Sequence, residues 1–172
     1  MNANTSHKLT PRNEAARNLA YVWGLCLMGG WGVSSLCLDT LRPIGSQVLR
    51  VFMTLPARCF YSLLPFLLSA FAVIFSYHKI LFLICGMKAA CFGARCVLFG
   101  SHFGQGSWLA VPLLFFSEIC SLPCLYYFWL KHISIDISLK ISEIIVFILI
   151  SALILGVDYQ IITPFINRIM TL

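Results

Sequence analysis

Four charged side chains lie inside long apolar stretches of this 172-residue chain: Lys88, Arg95, Glu118 and Asp158. An ionised side chain is costly in hydrocarbon, so such residues usually pair with each other, face a water-filled cavity or take part in ion or proton transfer. Lys88 and Arg95 are seven residues apart and therefore share one face of a helix. We take these four residues as the candidates for a functional site.

Glu118 is the candidate partner of Lys88. If segments 80–101 and 108–130 form an antiparallel hairpin, Lys88 lies about 20 Å and Glu118 about 17 Å from the turn, at 1.5 Å per residue. The matching depths predict an ion pair, which either fixes the hairpin or serves transport or proton relay. Arg95 is close enough to the turn to snorkel to the interface. Asp158 either faces interfacial water or points into the bundle toward the two cations.

A stripe of small residues lies roughly opposite the two cations on the same predicted helix. It consists of Gly86, Ala90, Gly93 and Gly100. Small residues let helix backbones approach closely in a membrane. The stripe therefore predicts a tight helix–helix contact.

The sequence contains no recognisable catalytic, cofactor or metal motif. Cys120 and Cys124 share a helix face, but no histidine lies beside them at ligand spacing, and most of the eight cysteines lie in apolar runs as small hydrophobic residues. His102 and His132 fall at span ends, where a solvated histidine is expected. We predict that the protein is not an enzyme and that it uses no cofactor or metal.

The composition defines the environment that must position these residues. The chain is 60% hydrophobic and 10% charged, with a mean hydropathy of +0.91, whereas soluble proteins carry about 25% charged residues. This excludes a disordered chain and disfavours a soluble enzyme, and the scattered basic residues exclude a nucleic-acid-binding domain. The solvent of this protein is lipid.

Continuous apolar segments predict an all-α, polytopic transmembrane helical bundle with about five spans, because each is long enough to cross a bilayer and none alternates as a barrel strand does. The segments are residues 19–38, 60–77, 80–101, 108–130 and 141–163. Pro112 and Pro123 interrupt the fourth of these spans. Residues 1–18 and 166–172 are predicted to be tails, and 60–165 to hold the last four spans.

Residues 39–59 allow two interpretations. Arg42, Arg50 and Arg58 recur every eight residues among apolar ones, which favours an interfacial amphipathic helix, although a solvated loop fits nearly as well.

The distribution of basic residues predicts a cytoplasmic N-terminus. With that orientation six basic residues lie inside and four outside. Inside are Lys8, Arg12, Arg17, Lys79, Lys131 and Lys140; outside are Arg42, Arg50, Arg58 and Arg168.

Several short motifs resemble those of the stage II sporulation protein M family. They are KAACFG at 88–93, FGQGSWL at 103–109, FSE at 116–118 followed by SLP at 121–123, and Asp158 followed by Thr163-Pro164. The family has a glycine where Ala89 stands and a Pro-Gln-Asn triplet where FSE stands. The resemblance covers roughly residues 60–164.

The resemblance implies a multi-pass protein of the cytoplasmic membrane in an endospore-forming bacterium. In that family the protein is a scaffold that holds peptidoglycan hydrolases at the septal membrane during engulfment, so its expected partners are the lipid bilayer and other membrane proteins. The residues themselves leave a second hypothesis open. The Lys88/Glu118 pair and the proline-broken fourth span also suit a small transporter or an ABC-type permease subunit.

Overall fold

The structure is a computed structural model that describes residues 10–52, 54–101, 110–134 and 139–171. These residues are mostly helical, and no strand occurs among them. The helices are α1 (Pro11–Leu36), α2 (Leu38–Phe52), α3 (Leu55–Ile74), α4 (Ile80–Gly100), α5 (Ala110–Leu114), α6 (Phe116–Ser134), α7 (Ile141–Val157), a π-helical turn (Asp158–Ile162) and α8 (Thr163–Thr171). The predicted all-helical class is confirmed for the described residues.

Within the described part of the chain, four helices are long and apolar enough to cross a membrane. They are Pro11–Leu36, Pro56–Ile74, Ile80–Gly100 and Ile141–Ile166. The predicted fourth segment, 108–130, is not among them. Its described part divides at Phe115 into the five-residue α5 and the 19-residue α6. Helix α6 is long enough to cross, but it carries Glu118, Lys131 and His132 and is not apolar enough. The structure therefore supports a membrane protein with four apolar spans, and the predicted count of five is not confirmed.

Helices α1 and α4 touch backbone to backbone. A Cβ atom added to Gly30 would lie 2.1 Å from the carbonyl oxygen of Ala90, and one added to Gly93 would lie 2.4 Å from that of Leu27. Both distances are far below van der Waals contact, so only glycine permits this approach. The small-residue face of α4 is the surface that α1 covers.

The contacts along this interface also give its direction. A Cβ on Gly86 would meet Cys26 and Val22 of α1, whereas a Cβ on Gly93, two helical turns later, would meet Leu27 and Trp31. Residue numbers therefore increase in the same direction along both helices, so α1 and α4 are parallel. A Cβ added to Gly100, the last member of the predicted stripe, would have no neighbouring atom within 4 Å, so Gly100 takes no part in this close contact.

A tight turn connects α3 to α4. Ser76 has a left-handed backbone with φ of 58°, and its N–H donates to the carbonyl of Val73 while that of Tyr77 donates to Ala72. These two bonds form a Schellman motif, which satisfies the last carbonyls of a helix and reverses the chain. Helices α3 and α4 are consequently antiparallel neighbours.

Aromatic packing joins α3, α6 and α7. The Phe66 ring stacks on Phe147 with centroids 3.7 Å apart and meets Phe128 edge-on at 5.1 Å. The buried Trp129 indole donates a 2.7 Å hydrogen bond to the hydroxyl of Ser69. These contacts bring the C-terminal part of α6 beside α3 and the start of α7.

Several predicted segment bounds differ from the structure. Helix α1 already begins at Pro11, within the predicted tail of residues 1–18, and not at residue 19. Helix α3 begins at Leu55 rather than at residue 60, because Pro56 occupies its first turn, where the missing N–H is not needed. Residues 39–59 are thus divided between α2 and the start of α3. The predicted C-terminal tail continues as α8, whose Ile166 is fully buried against Phe99 and Phe115.

Candidate functional site

Lys88, Arg95 and Glu118 form one buried ion cluster between α4 and α6. Lys88 Nζ lies 2.9 Å from Glu118 Oε2, and Arg95 Nη2 donates to the same oxygen at 2.8 Å. Arg95 Nη1 contacts the other carboxylate oxygen, Oε1. All three residues are less than a tenth exposed. Arg95, which was expected to snorkel to the interface, instead pairs with Glu118 inside the bundle.

Two aromatic rings contact the Arg95 guanidinium inside the bundle. The guanidinium carbon lies 4.7 Å from the centroid of the Tyr61 ring and 5.7 Å from that of Phe115. A cation over an aromatic face is stabilised by the ring quadrupole, most strongly where water is excluded. Arg95 Nε also donates to the carbonyl of Cys91, one turn earlier. The cation is therefore bound at several points besides its ion pair.

Pro65 supplies an acceptor for Lys88. Proline has no N–H, so the carbonyl four residues earlier in α3, that of Tyr61, has no helical donor. Lys88 Nζ lies 3.0 Å from this oxygen and donates to it. A proline inside a predicted span is a sequence signal for such a freed carbonyl, but its partner on another helix is not visible in the sequence.

Glu118 lies in the first turn of α6, directly after the break at Phe115. The N-terminus of a helix carries a partial positive charge, which favours a carboxylate there. Ser121 Oγ donates to the carbonyl of Glu118 and is itself buried. The interruption between α5 and α6 thus provides a favourable position for the anion.

A second buried ion pair joins α3 to the C-terminal helix. Arg58 Nη1 lies 2.7 Å from Asp158 Oδ1, with side-chain exposures of 1% and 0%. The contact is an ion pair whose angle falls outside hydrogen-bond geometry. Asp158 faces neither interfacial water nor Lys88 and Arg95, the alternatives that the sequence left open. Its partner was missed because Arg58 was placed in segment 39–59.

A π-helical turn places Asp158. The N–H of Thr163 donates to the carbonyl of Asp158, five residues earlier, and the Thr163 hydroxyl donates to the same oxygen at 3.0 Å. Pro164 has no N–H to continue an α-helical pattern, and the wider turn accommodates this. The chain therefore stays helical through Pro164 while Asp158 remains pointed at α3.

Tyr61 links the two ion clusters. It is one turn from Arg58 on α3, its carbonyl accepts from Lys88, and its ring contacts Arg95. We call the two clusters together the polar layer. The layer contains three buried cations and two buried carboxylates, contributed by α3, α4, α6 and the π-helical turn. Chemically, this arrangement can fix the relative register of four helical segments, because each charge would be stranded in an apolar interior if one helix slid.

His132 and His102 were both predicted to be solvated at span ends, and the structure describes only His132. His132 is 1% exposed, and its Nε2 lies 3.2 Å from Glu143 Oε2, so it is packed between α6 and α7 rather than solvated. Lys131 contacts the other oxygen of Glu143. His102 lies outside the described residues, as does the predicted turn at 102–107.

The residues that the structure describes include no group of three histidine, cysteine or acidic side chains that could hold a metal. All eight cysteines are among them and are free thiols. Cys120 and Cys124 lie on α6 and belong to no such group among the described residues.

Comparison of the chain with protein-family models, curated proteins and solved structures gives no match. The resemblance to stage II sporulation protein M therefore stays a prediction based on the motifs at residues 88–123 and 158–164.

Proposed function

We propose that this chain is a non-enzymatic integral-membrane scaffold of the kind that the resemblance to stage II sporulation protein M implies. The main support is the polar layer, in which each buried Lys, Arg, Asp or Glu of the described residues has an opposite charge within 3 Å. Charges that are each paired with an opposite charge inside the bundle suit a protein whose helices keep one arrangement. A scaffold needs such a fixed arrangement to present the same surface to its partners.

We further propose that α5 and α6 together make a fifth crossing. Helix α6 is antiparallel to α1, since the Tyr126 hydroxyl donates to the carbonyl of Ala16 while Glu118 lies beside Lys88 on the parallel helix α4. Glu118 and His132 are 14 residues apart, about 21 Å along a helix. This length of α6 lies alongside the apolar spans and extends to the start of α7.

This crossing number places the two termini on opposite sides of the membrane. The burial of Arg58 removes one basic residue from the predicted outer loop, which strengthens the bias toward a cytoplasmic N-terminus. A C-terminal alkaline phosphatase fusion should then be active and a C-terminal green fluorescent protein fusion dark. The reverse pattern, with a cytoplasmic N-terminus shown by the same reporters, would indicate four crossings.

The scaffold function is tested in a sporulating, endospore-forming host. An epitope-tagged copy should concentrate at the asymmetric septum and co-purify with peptidoglycan hydrolases. A tagged unrelated multi-pass protein at equal abundance provides the control. A uniform membrane distribution together with no hydrolase in the purified fraction would reject the proposal.

A transporter or permease subunit is the second candidate, and one observation favours it. A groove of about 140 Å³ between α3 and α4 is lined by Tyr61, Pro65, Lys88 and Arg95, among others, so the two cations are reachable from the side of the bundle. If this groove is a substrate path, vesicles containing the protein should show ion or proton flux that Glu118→Gln abolishes without unfolding the chain. If vesicles containing the wild-type chain show no flux, the transporter hypothesis is rejected and the scaffold proposal stands alone.

A further inference from the structure

A groove between α6 and α7 opens at the side of the bundle. Its volume is about 460 Å³. The apolar residues that line it include Pro123, Tyr127, Phe128, Val146, Phe147 and Ile150. From Lys131 to Pro123 it follows α6 for eight residues, about 12 Å. A slot of this length and polarity suits part of a hydrocarbon chain.

One end of this groove is polar. Lys131, Ser142 and Glu143 line it there. A second cavity of about 150 Å³ adjoins it, shares Tyr127 and Lys131, and is also lined by Arg12. Two cations therefore face this end, and Glu143 already pairs with Lys131.

Arg12 is exposed, and no described carboxylate forms an ion pair with it. Its guanidinium is therefore available to an anion that enters the smaller cavity.

The surrounding end of the bundle is basic. Its described cations outnumber its carboxylates, Glu14 and Glu143. The cations are Arg12, Arg17, Lys79, Lys131 and Lys140. Basic residues at the membrane surface attract anionic lipid headgroups, and basic pockets between transmembrane helices can bind them individually. The charge of this end and the apolar slot beside it together match an amphiphile with an anionic head.

We propose that the two adjoining cavities bind one anionic, two-chain phospholipid. Its phosphate lies between Arg12 and Lys131, and one acyl chain lies in the groove between α6 and α7. The bound lipid would fill the side opening between these helices. This assignment holds whether the protein is a scaffold or a transporter, because it uses none of the residues of the buried polar layer.

The test is native mass spectrometry of the full chain in detergent with added phosphatidylglycerol or phosphatidylcholine. We expect one phosphatidylglycerol molecule to be retained preferentially. Arg12→Gln should weaken this binding about fivefold, since a basic residue near the surface contributes about 1 kcal/mol to binding an anionic lipid. Lys140→Gln removes the same charge from an exposed position at the same end, outside both cavities, and should leave the affinity within about twofold.

A second variant tests the acyl-chain site. Val146 lines the groove and is 53% exposed, so Val146→Trp should fill the groove without disturbing the core. We expect it to reduce phosphatidylglycerol retention, and we expect inorganic phosphate to compete only weakly with the lipid. Equal retention of both lipids, equal effects of the Arg12 and Lys140 variants, or full retention by Val146→Trp would each overturn the proposal. Strong competition by phosphate would show a site for the free anion instead.

Discussion

Replacing Glu118 with glutamine removes one charge from the polar layer while conserving the size of the side chain. Glu118 is 1% exposed and pairs with both Lys88 and Arg95. The substitution leaves two cations facing each other without this carboxylate. Loss of one member of a buried ion pair typically costs about 3–5 kcal/mol, because the other charge is left in a medium that solvates it poorly. We expect Glu118→Gln to lower the free energy of unfolding by that amount.

Lys88→Met is the informative comparison within the same cluster. It leaves the Arg95–Glu118 pair intact, so one cation still faces one carboxylate. The losses are the hydrogen bonds that the Lys88 ammonium donates to the Tyr61 carbonyl and to Glu118. A hydrogen bond of a charged group is worth about 1.5–3 kcal/mol, and removing one of two cations that share a single carboxylate offsets part of that cost. The structure thus predicts that Lys88→Met destabilises the protein less than Glu118→Gln does.

The free energies can be measured by titrating the purified protein with a denaturing detergent in mixed micelles. In a background in which the other seven cysteines, including the exposed Cys37 and Cys91, are replaced, a thiol-reactive fluorophore reports unfolding, since Cys85 is a free thiol that is only 1% exposed in the folded bundle. Glu143→Gln is the matched control. It removes a carboxylate in the first turn of α7, from a side chain that is 21% exposed, and should cost less than about 1 kcal/mol.

Two results would refute this reasoning. If Lys88→Met destabilises the protein more than Glu118→Gln does, the carboxylate is not the centre of the cluster. If Glu118→Gln costs no more than Glu143→Gln, the cluster is hydrated and does not hold the helices in register.

Two further predictions concern other contacts between helices. Gly30→Ala should destabilise the protein by about 1–3 kcal/mol through its clash with Ala90, whereas Gly29→Ala, with open space around the added methyl, should be neutral or stabilising by up to about 1 kcal/mol; equal unfolding midpoints for the two variants would contradict the close packing of α1 on α4. Asp158→Asn should cost about 3–5 kcal/mol, and a second substitution, Arg58→Met, should recover most of it; a double variant no more stable than Asp158→Asn in the same titration would show that the two residues are not coupled.

The sequence was sufficient for features that depend on segment length and local pattern. Apolar runs of span length predicted helices in lipid, and a rise of 1.5 Å per residue placed Lys88 and Glu118 at similar depth. The small residues at Gly86 and Gly93 marked the face of α4 that α1 covers. The fourth segment was harder, because its described helices are interrupted at Phe115, and apolar content does not report such a break.

Other features were decided only by tertiary structure. Arg58 and Asp158 are 100 positions apart in the sequence, and they meet because α3 packs beside α7, which leads into the π-helical turn. Arg95 could equally have reached the interface, since its depth permits either conformation. It turns inward because Tyr61, Phe115 and Glu118 arrive from three other helical positions. Local sequence fixes which face of a helix a charge occupies, whereas the packing of several helices determines which charge it meets.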